Sequence, residues 1–174
     1  MNPKALYRMI EELRQQCRFG LLTFESLRLR LNDLNTERVF VETHAFLGHA
    51  TMVSRLLWPS RPESTQRGEL LRSELKLPDA SPLRMTGNRS QIDRFDEAYE
   101  DWLSSLPDAG YVDMNLMPSG TMLGSKEDVF QRSLDPDTLT LNLRGIPIDL
   151  RQIAEALRTL EHATQGWLRN HNPW

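Results

Sequence analysis

Cysteine is almost absent from this chain, with one residue, Cys17, among 174. A single cysteine excludes an intramolecular disulfide framework. Cys17 also lies on the apolar face of the first predicted helix, so we expect it to be a small buried hydrophobic residue. Both points fit a reducing compartment, where cysteines stay free.

Long apolar runs are missing as well. No stretch approaches the ~20 apolar residues that a membrane-spanning helix needs. The N-terminal sequence MNPKALYRMIEEL carries charges throughout and has no apolar segment of the signal-peptide type. We therefore expect a cytoplasmic protein that does not associate with a membrane.

The chain has no excess of positive charge and none of the common nucleotide motifs. Its 21 Lys and Arg residues against 24 Asp and Glu give a formal charge of -3. This excludes a dedicated nucleic-acid binder with a basic surface, although a local basic site is compatible with it. GxxxxGK[ST], GxGxxG and GxSxG are all absent, and we expect no cofactor.

What the sequence does contain is helical periodicity at both ends. Apolar residues recur at helical spacing over 3–34 and 36–58, with Asn2 and Asn35 as caps. Phe19-Gly20 is a point where the first helix could bend. Further helices are predicted over 64–76, 89–106 and 150–169. Long helices joined by short links are typical of bundles.

The segment from 107 to 149 has a different character, with four of the chain's ten prolines. Short strands are predicted within Tyr111–Met117, over Thr138–Leu143 and over Ile146–Ile148, with an Arg144-Gly145 turn and Pro147 on an edge. Residues 118–136 are expected to form a flexible loop. The predicted fold is mainly α: an antiparallel four- or five-helix bundle with a small β-hairpin insertion before the last helix. One domain, 1–174, would have its helical core over 3–106 and 150–169 and the insertion over 107–149.

The stretch SPLRMTGNRSQIDRFDEAYEDWL, from Ser81 to Leu103, is the most informative one. Asn88 suits a helix cap, and Gln91 is placed to reach back to the cap amide. Arg89 would then lie beside free backbone amides at a positive helix end, where an anion is favoured. An apolar face is predicted on the same helix, formed by Ile92, Phe95, Tyr99, Trp102 and Leu103. The simpler interpretation of Arg89 is a solvated i,i+4 pair with Asp93.

This stretch and FVETHAFLGHATMVSRLLWPS (Phe40–Ser60) resemble the HEPN superfamily of small bacterial helical proteins. Many members are metal-independent ribonucleases of toxin–antitoxin and defence systems, often dimeric, with an arginine, a polar residue and a histidine at a helix start. Arg89 matches the arginine and Ser90 the polar residue. Arg94 stands where the histidine falls.

The resemblance implies a site for the phosphates of RNA or a nucleotide at Asn88, Arg89, Ser90 and Arg94. Metal-free RNA cleavage needs a base near neutral pKa and a cation for the phosphorane charge. Arginine supplies the cation but cannot act as a base. We therefore expect a catalytically degenerate HEPN-like binding or regulatory protein, which the resemblance links to bacterial toxin–antitoxin or defence systems. A homodimer is expected, with RNA and a protein as further candidate partners.

Two alternatives stay open. One is a metal-independent endoribonuclease that uses Arg89 with a histidine from elsewhere, so the catalytic candidates are Arg89 and His44, with His49 as a second choice of base. The other is a structural or interaction bundle without nucleotide chemistry. His44 and His49 are five residues apart, which turns them about 140° around a helix, and we predict no metal site.

Overall fold

The computed structural model describes residues 1–33, 35–106, 110–118 and 127–174. Within these ranges the protein is mainly helical, with α1 (Pro3–Asn32), α2 (Thr36–Leu57), α3 (Thr65–Glu74), α4 (Ser90–Asp93), α5 (Phe95–Ser105) and α6 (Leu150–Asn170). A small mixed sheet is formed by β1 (Asn115–Leu116), β2 (Arg132–Asp135), β3 (Thr140–Leu143) and β4 (Ile146–Asp149).

The three long helices begin at side-chain caps. Asn2 accepts from the amide of Ala5 at 2.8 Å, Asn35 from that of Arg38 at 3.0 Å and Asp149 from that of Gln152 at 2.8 Å. Such caps satisfy amides that have no partner inside the helix. The two asparagine caps confirm the prediction from the sequence.

Helix α1 packs against both α2 and α6. Contacts such as Ser26 Oγ to Glu42 at 2.8 Å and Arg14 Nε to Glu161 at 2.9 Å join it to its two neighbours. The helix is continuous through Gly20, so the chain does not break there. A Cβ on Gly20 would lie 3.1 Å from Leu157, and the glycine thus allows α6 to approach closely.

The core between these helices is apolar, and Cys17 belongs to it as predicted. Its thiol is fully buried, and this burial, with Glu161 nearby, raises the pKa of Cys17 to about 12. A thiol held neutral in this way is a poor nucleophile.

The sheet has the order β1-β2-β3-β4, with β1 parallel to β2 and the other pairs antiparallel. The predicted hairpin is confirmed: Leu141 pairs with Ile148, and Arg144 and Gly145 form its turn with positive φ values of 53° and 82°. Positive φ at both central residues matches the twist of antiparallel strands. Pro147 lies on edge strand β4, as predicted.

Three predictions from the sequence are wrong. Strand β2 lies inside the segment expected to be a flexible loop, of which 119–126 fall outside the described residues. The helix expected over 89–106 is interrupted at Arg94, where φ is -125° and ψ is 55°. The apolar face of that helix is only partly buried: Trp102 is buried, whereas Phe95 and Leu103 are exposed.

The break at Arg94 has a tertiary cause. In an unbroken helix the carbonyl of Gln91 would accept from the amide four residues later. Here the Gln91 carbonyl accepts from Arg144 Nη2 at 2.7 Å, and its side-chain oxygen accepts from Arg144 Nε at 2.9 Å. The hairpin turn therefore replaces the helical hydrogen bond, and α4 ends.

Candidate anion-binding groove

The predicted motif lies at the C-terminal end of α2. A 3-10 turn at Pro82–Arg84 and a left-handed Met85 lead into α4, which has only four residues. The expected cap is absent, because the side chain of Asn88 makes no capping hydrogen bond. The amides of Asn88 and Arg89 both donate to the Met85 carbonyl. A helix end with free amides is therefore not what positions the arginine.

Arg89 is held by protein groups on several sides. Its Nη1 donates to the Trp58 carbonyl at 2.7 Å and to Ser54 Oγ at 3.4 Å, and its Nε lies 3.2 Å from Asp93 Oδ2. The i,i+4 pair with Asp93 thus exists, but it is not solvated, since the two side chains are 20% and 16% exposed. Arg89 ties α4 to the end of α2.

Ser90 and Arg94, the other two members of the predicted site, are less constrained. Ser90 Oγ donates to the Gly87 carbonyl at 3.1 Å. Arg94 is exposed and pairs with the equally exposed Glu97 at 3.4 Å. Such an exposed pair is weak, so Arg94 is available to a ligand.

Around these residues is a groove of about 650 Å³. We call it the arginine groove, because five arginines line it against a single carboxylate, Asp93; the arginines are Arg55, Arg72, Arg84, Arg89 and Arg94. Asn88 is not among its lining residues. Three members of the predicted phosphate site, Arg89, Ser90 and Arg94, therefore share one surface.

The arginines of the groove differ in how free they are. Arg72 is fixed, because it donates to the Leu57 carbonyl and lies over the Trp58 ring at 5.5 Å. Arg55 is exposed and pairs with Asp93 at 3.3 Å. Arg84 is exposed and forms no ion pair with any described residue. Asp93 faces both Arg55 and Arg89, whereas Asp79 and Glu97, outside the lining, pair with Arg72 and Arg94. Five arginines against these three carboxylates leave a net positive charge, with Arg84 as the arginine that pairs with none of the described acids.

The structure does not bring Arg89 and a histidine together within one chain. Arg89 contacts Ser54, and His44 precedes Ser54 by ten residues on α2, which is about 15 Å along the helix. His49 lies on the α1 side, with Nδ1 2.8 Å from Gln16 and its ring 5.5 Å from Phe19. Neither is placed to act on a phosphate held by Arg89.

A second cluster surrounds His44 and was missed in the sequence. Its members come from the segment between α5 and β4, where no motif marks them. Arg132 forms a two-pronged pair with Asp113 at 2.8 and 2.6 Å. The pKa of His44 is lowered by burial and then by Arg132 and Arg144. Its Nε2 is buried and has no hydrogen-bond partner among the described residues.

Other site classes find no support in the described ranges. No group of three or more His, Cys, Asp or Glu side chains there is arranged to hold a metal ion. None of the helices described is long and apolar enough to cross a membrane. Comparisons with family models, with curated proteins and with solved structures gave no match, so the groove is interpreted from its own geometry.

Proposed function

We propose that this protein is a non-cleaving, HEPN-like helical module that binds the phosphates of RNA in the arginine groove. The observation that carries the proposal is the local charge: five arginines against one lining carboxylate, on a chain whose formal charge is -3. Guanidinium groups fork onto phosphate oxygens and stay charged at every physiological pH.

Binding is favoured over cleavage by the chemistry of the groove. A general base must take the proton of the attacking 2′-hydroxyl, and arginine cannot do so. The groove contains no histidine, and His44 is about 15 Å further along α2. The arrangement thus supplies cations for phosphate without a proton acceptor of suitable pKa.

The test for binding uses Arg84, a groove arginine that forms no ion pair within the described part of the chain. Arg84→Ala should weaken binding of a single-stranded RNA and reduce the salt dependence of the affinity. The reason is that fewer phosphate contacts form, so fewer counterions are released on binding. Arg38→Ala is the matched control, since Arg38 is an exposed arginine on α2 outside the groove. Equal effects of the two substitutions would contradict a specific groove.

The test for cleavage is independent. Purified protein should leave single-stranded RNA intact with and without EDTA. EDTA-resistant cleavage that Arg89→Ala abolishes would instead support an endoribonuclease that obtains its histidine from outside this site.

The second part of the proposal is a homodimer formed through the outer face of α2. This face carries Val41 and Met52, which are 60% and 47% exposed, with Ala45 and Gly48 between them. These four residues are separated by 4, 3 and 4 positions, a spacing that is the same in both chain directions. Two antiparallel copies of α2 would therefore place large residues against large ones and small against small, as a two-fold interface requires.

A further inference from the structure

A second cavity, of about 370 Å³, lies on the other side of α4. Ser90 and Arg94 line both this cavity and the arginine groove, so the two are neighbours. The cavity lies between α4, α5 and the β3–β4 turn, and Trp102 and Ala98 provide an apolar wall.

Arg144 lines this cavity and is a buried cation with unusual surroundings. It is 7% exposed, yet it forms no ion pair with a carboxylate of the described residues. Its Nε and Nη2 donate to Gln91, and its guanidinium lies over the Phe95 ring at 5.4 Å. Because Nη1 donates to no residue that the structure describes, it can donate to a ligand.

The cavity also presents hydrogen-bond acceptors. Glu97 and Asp101 line it, and Glu97 is already shared with Arg94. Asp101 has no ion pair or side-chain hydrogen bond with any described residue. Two carboxylates repel a phosphate, so this cavity is not a second copy of the arginine groove. A fitting ligand accepts from Arg144, donates to Asp101 and lies beside the apolar wall of Ala98 and Trp102.

We infer that this cavity receives a guanine base of the RNA whose phosphates lie in the arginine groove. The inference rests on the proposed function. Guanine carries two acceptors, O6 and N7, on one edge, and its N1–H and N2 amino group donate side by side from another. Arg144 suits the first edge and a carboxylate suits the second. Adenine offers one donor and one acceptor on the corresponding edge, which leaves a carboxylate half satisfied.

The experiment compares the labelled pentanucleotides UUGUU, UUAUU and UUUUU by fluorescence anisotropy on the full chain. The wild-type protein should bind UUGUU about tenfold more tightly than the other two, the usual scale of one well-formed base contact. Asp101→Ala should lower this ratio severalfold, because the contact with N1–H and the N2 amino group is lost. Glu100→Ala is the matched control: it removes an exposed carboxylate of α5 that does not line the cavity, and the ratio should persist.

The measured quantity is the ratio of the affinities for the different oligonucleotides, because removing an acidic residue can strengthen binding of every RNA alike. The guanine site would be overturned if the wild-type protein bound all three oligonucleotides with equal affinity. If Arg84→Ala then lowered all three affinities, the arginine groove would still be supported. An Asp101→Ala protein that keeps the full preference for UUGUU would also overturn it. Absence of any RNA binding would remove the guanine site together with the proposed function.

Discussion

At the scale of the residue, Arg89 has a structural role in the groove, because its hydrogen bonds and its ion pair join α4 to α2. Arg89→Ala removes hydrogen bonds to the Trp58 carbonyl and Ser54 and leaves Asp93 without one of its cations. We expect unfolding free energy to fall by about 2–3 kcal/mol in urea titrations, the scale of charge-assisted bonds. Arg94 is exposed, so Arg94→Ala should lower the unfolding free energy by less than ~0.5 kcal/mol. Equal costs for both variants would contradict this role.

His44 gives a residue-scale prediction that depends on pH. Its folded pKa lies below the unfolded value of 6.5, mainly because of burial, so the unfolded chain binds the extra proton first. Its contribution to stability is present above pH 6.5 and is lost as the pH falls through the folded pKa. His44→Leu, which also removes an unpaired buried Nε2, should therefore stabilise the protein more at pH 5 than at pH 8. Urea titrations at both values check this, and a pH-independent effect would disprove it.

At the scale of the element, two helical glycines should respond in opposite ways to alanine. A Cβ on Gly68 of α3 would lie 2.6 Å from the Leu57 carbonyl and from Pro59, so Gly68→Ala should cost about 1–3 kcal/mol through overpacking. A Cβ on the exposed Gly166 of α6 meets nothing within 4 Å. Gly166→Ala should stabilise by up to ~1 kcal/mol, since alanine favours helix. Thermal unfolding of the two variants distinguishes them; a loss at Gly166 would contradict the open space above it.

At the scale of the whole molecule, the proposed dimer predicts a mass of twice 20.2 kDa in light scattering at micromolar concentration. Gly48→Arg should give the monomer mass, because a long charged side chain would lie in the centre of the two-fold contact. Gly166→Arg is the matched control, as Gly166 is an exposed glycine of α6 with equally open space around it. A monomeric wild-type protein, or equal masses for the two variants, would contradict the proposed interface.

In the motif region, local sequence patterns predicted the wrong hydrogen-bond partners. Asn88 has the right identity for a cap, yet the chain turns at Met85 and Gly87 and uses its amides locally. Gln91 was expected to bond the cap and instead accepts from Arg144, 53 positions away. Local propensity cannot anticipate such a competitor, because the energy that decides between the two comes from a distant element.

The sequence by itself determined the long helices, their asparagine caps and the β3–β4 hairpin, because periodicity, capping and turn chemistry are local properties. It also placed Cys17 in the core. Only the tertiary structure decided that Arg89 is half-buried, that α4 and α5 are separate helices and that Arg132 and Arg144 lie near His44. These features depend on contacts between residues far apart in the chain, where burial of charge and competition for carbonyl groups select the conformation.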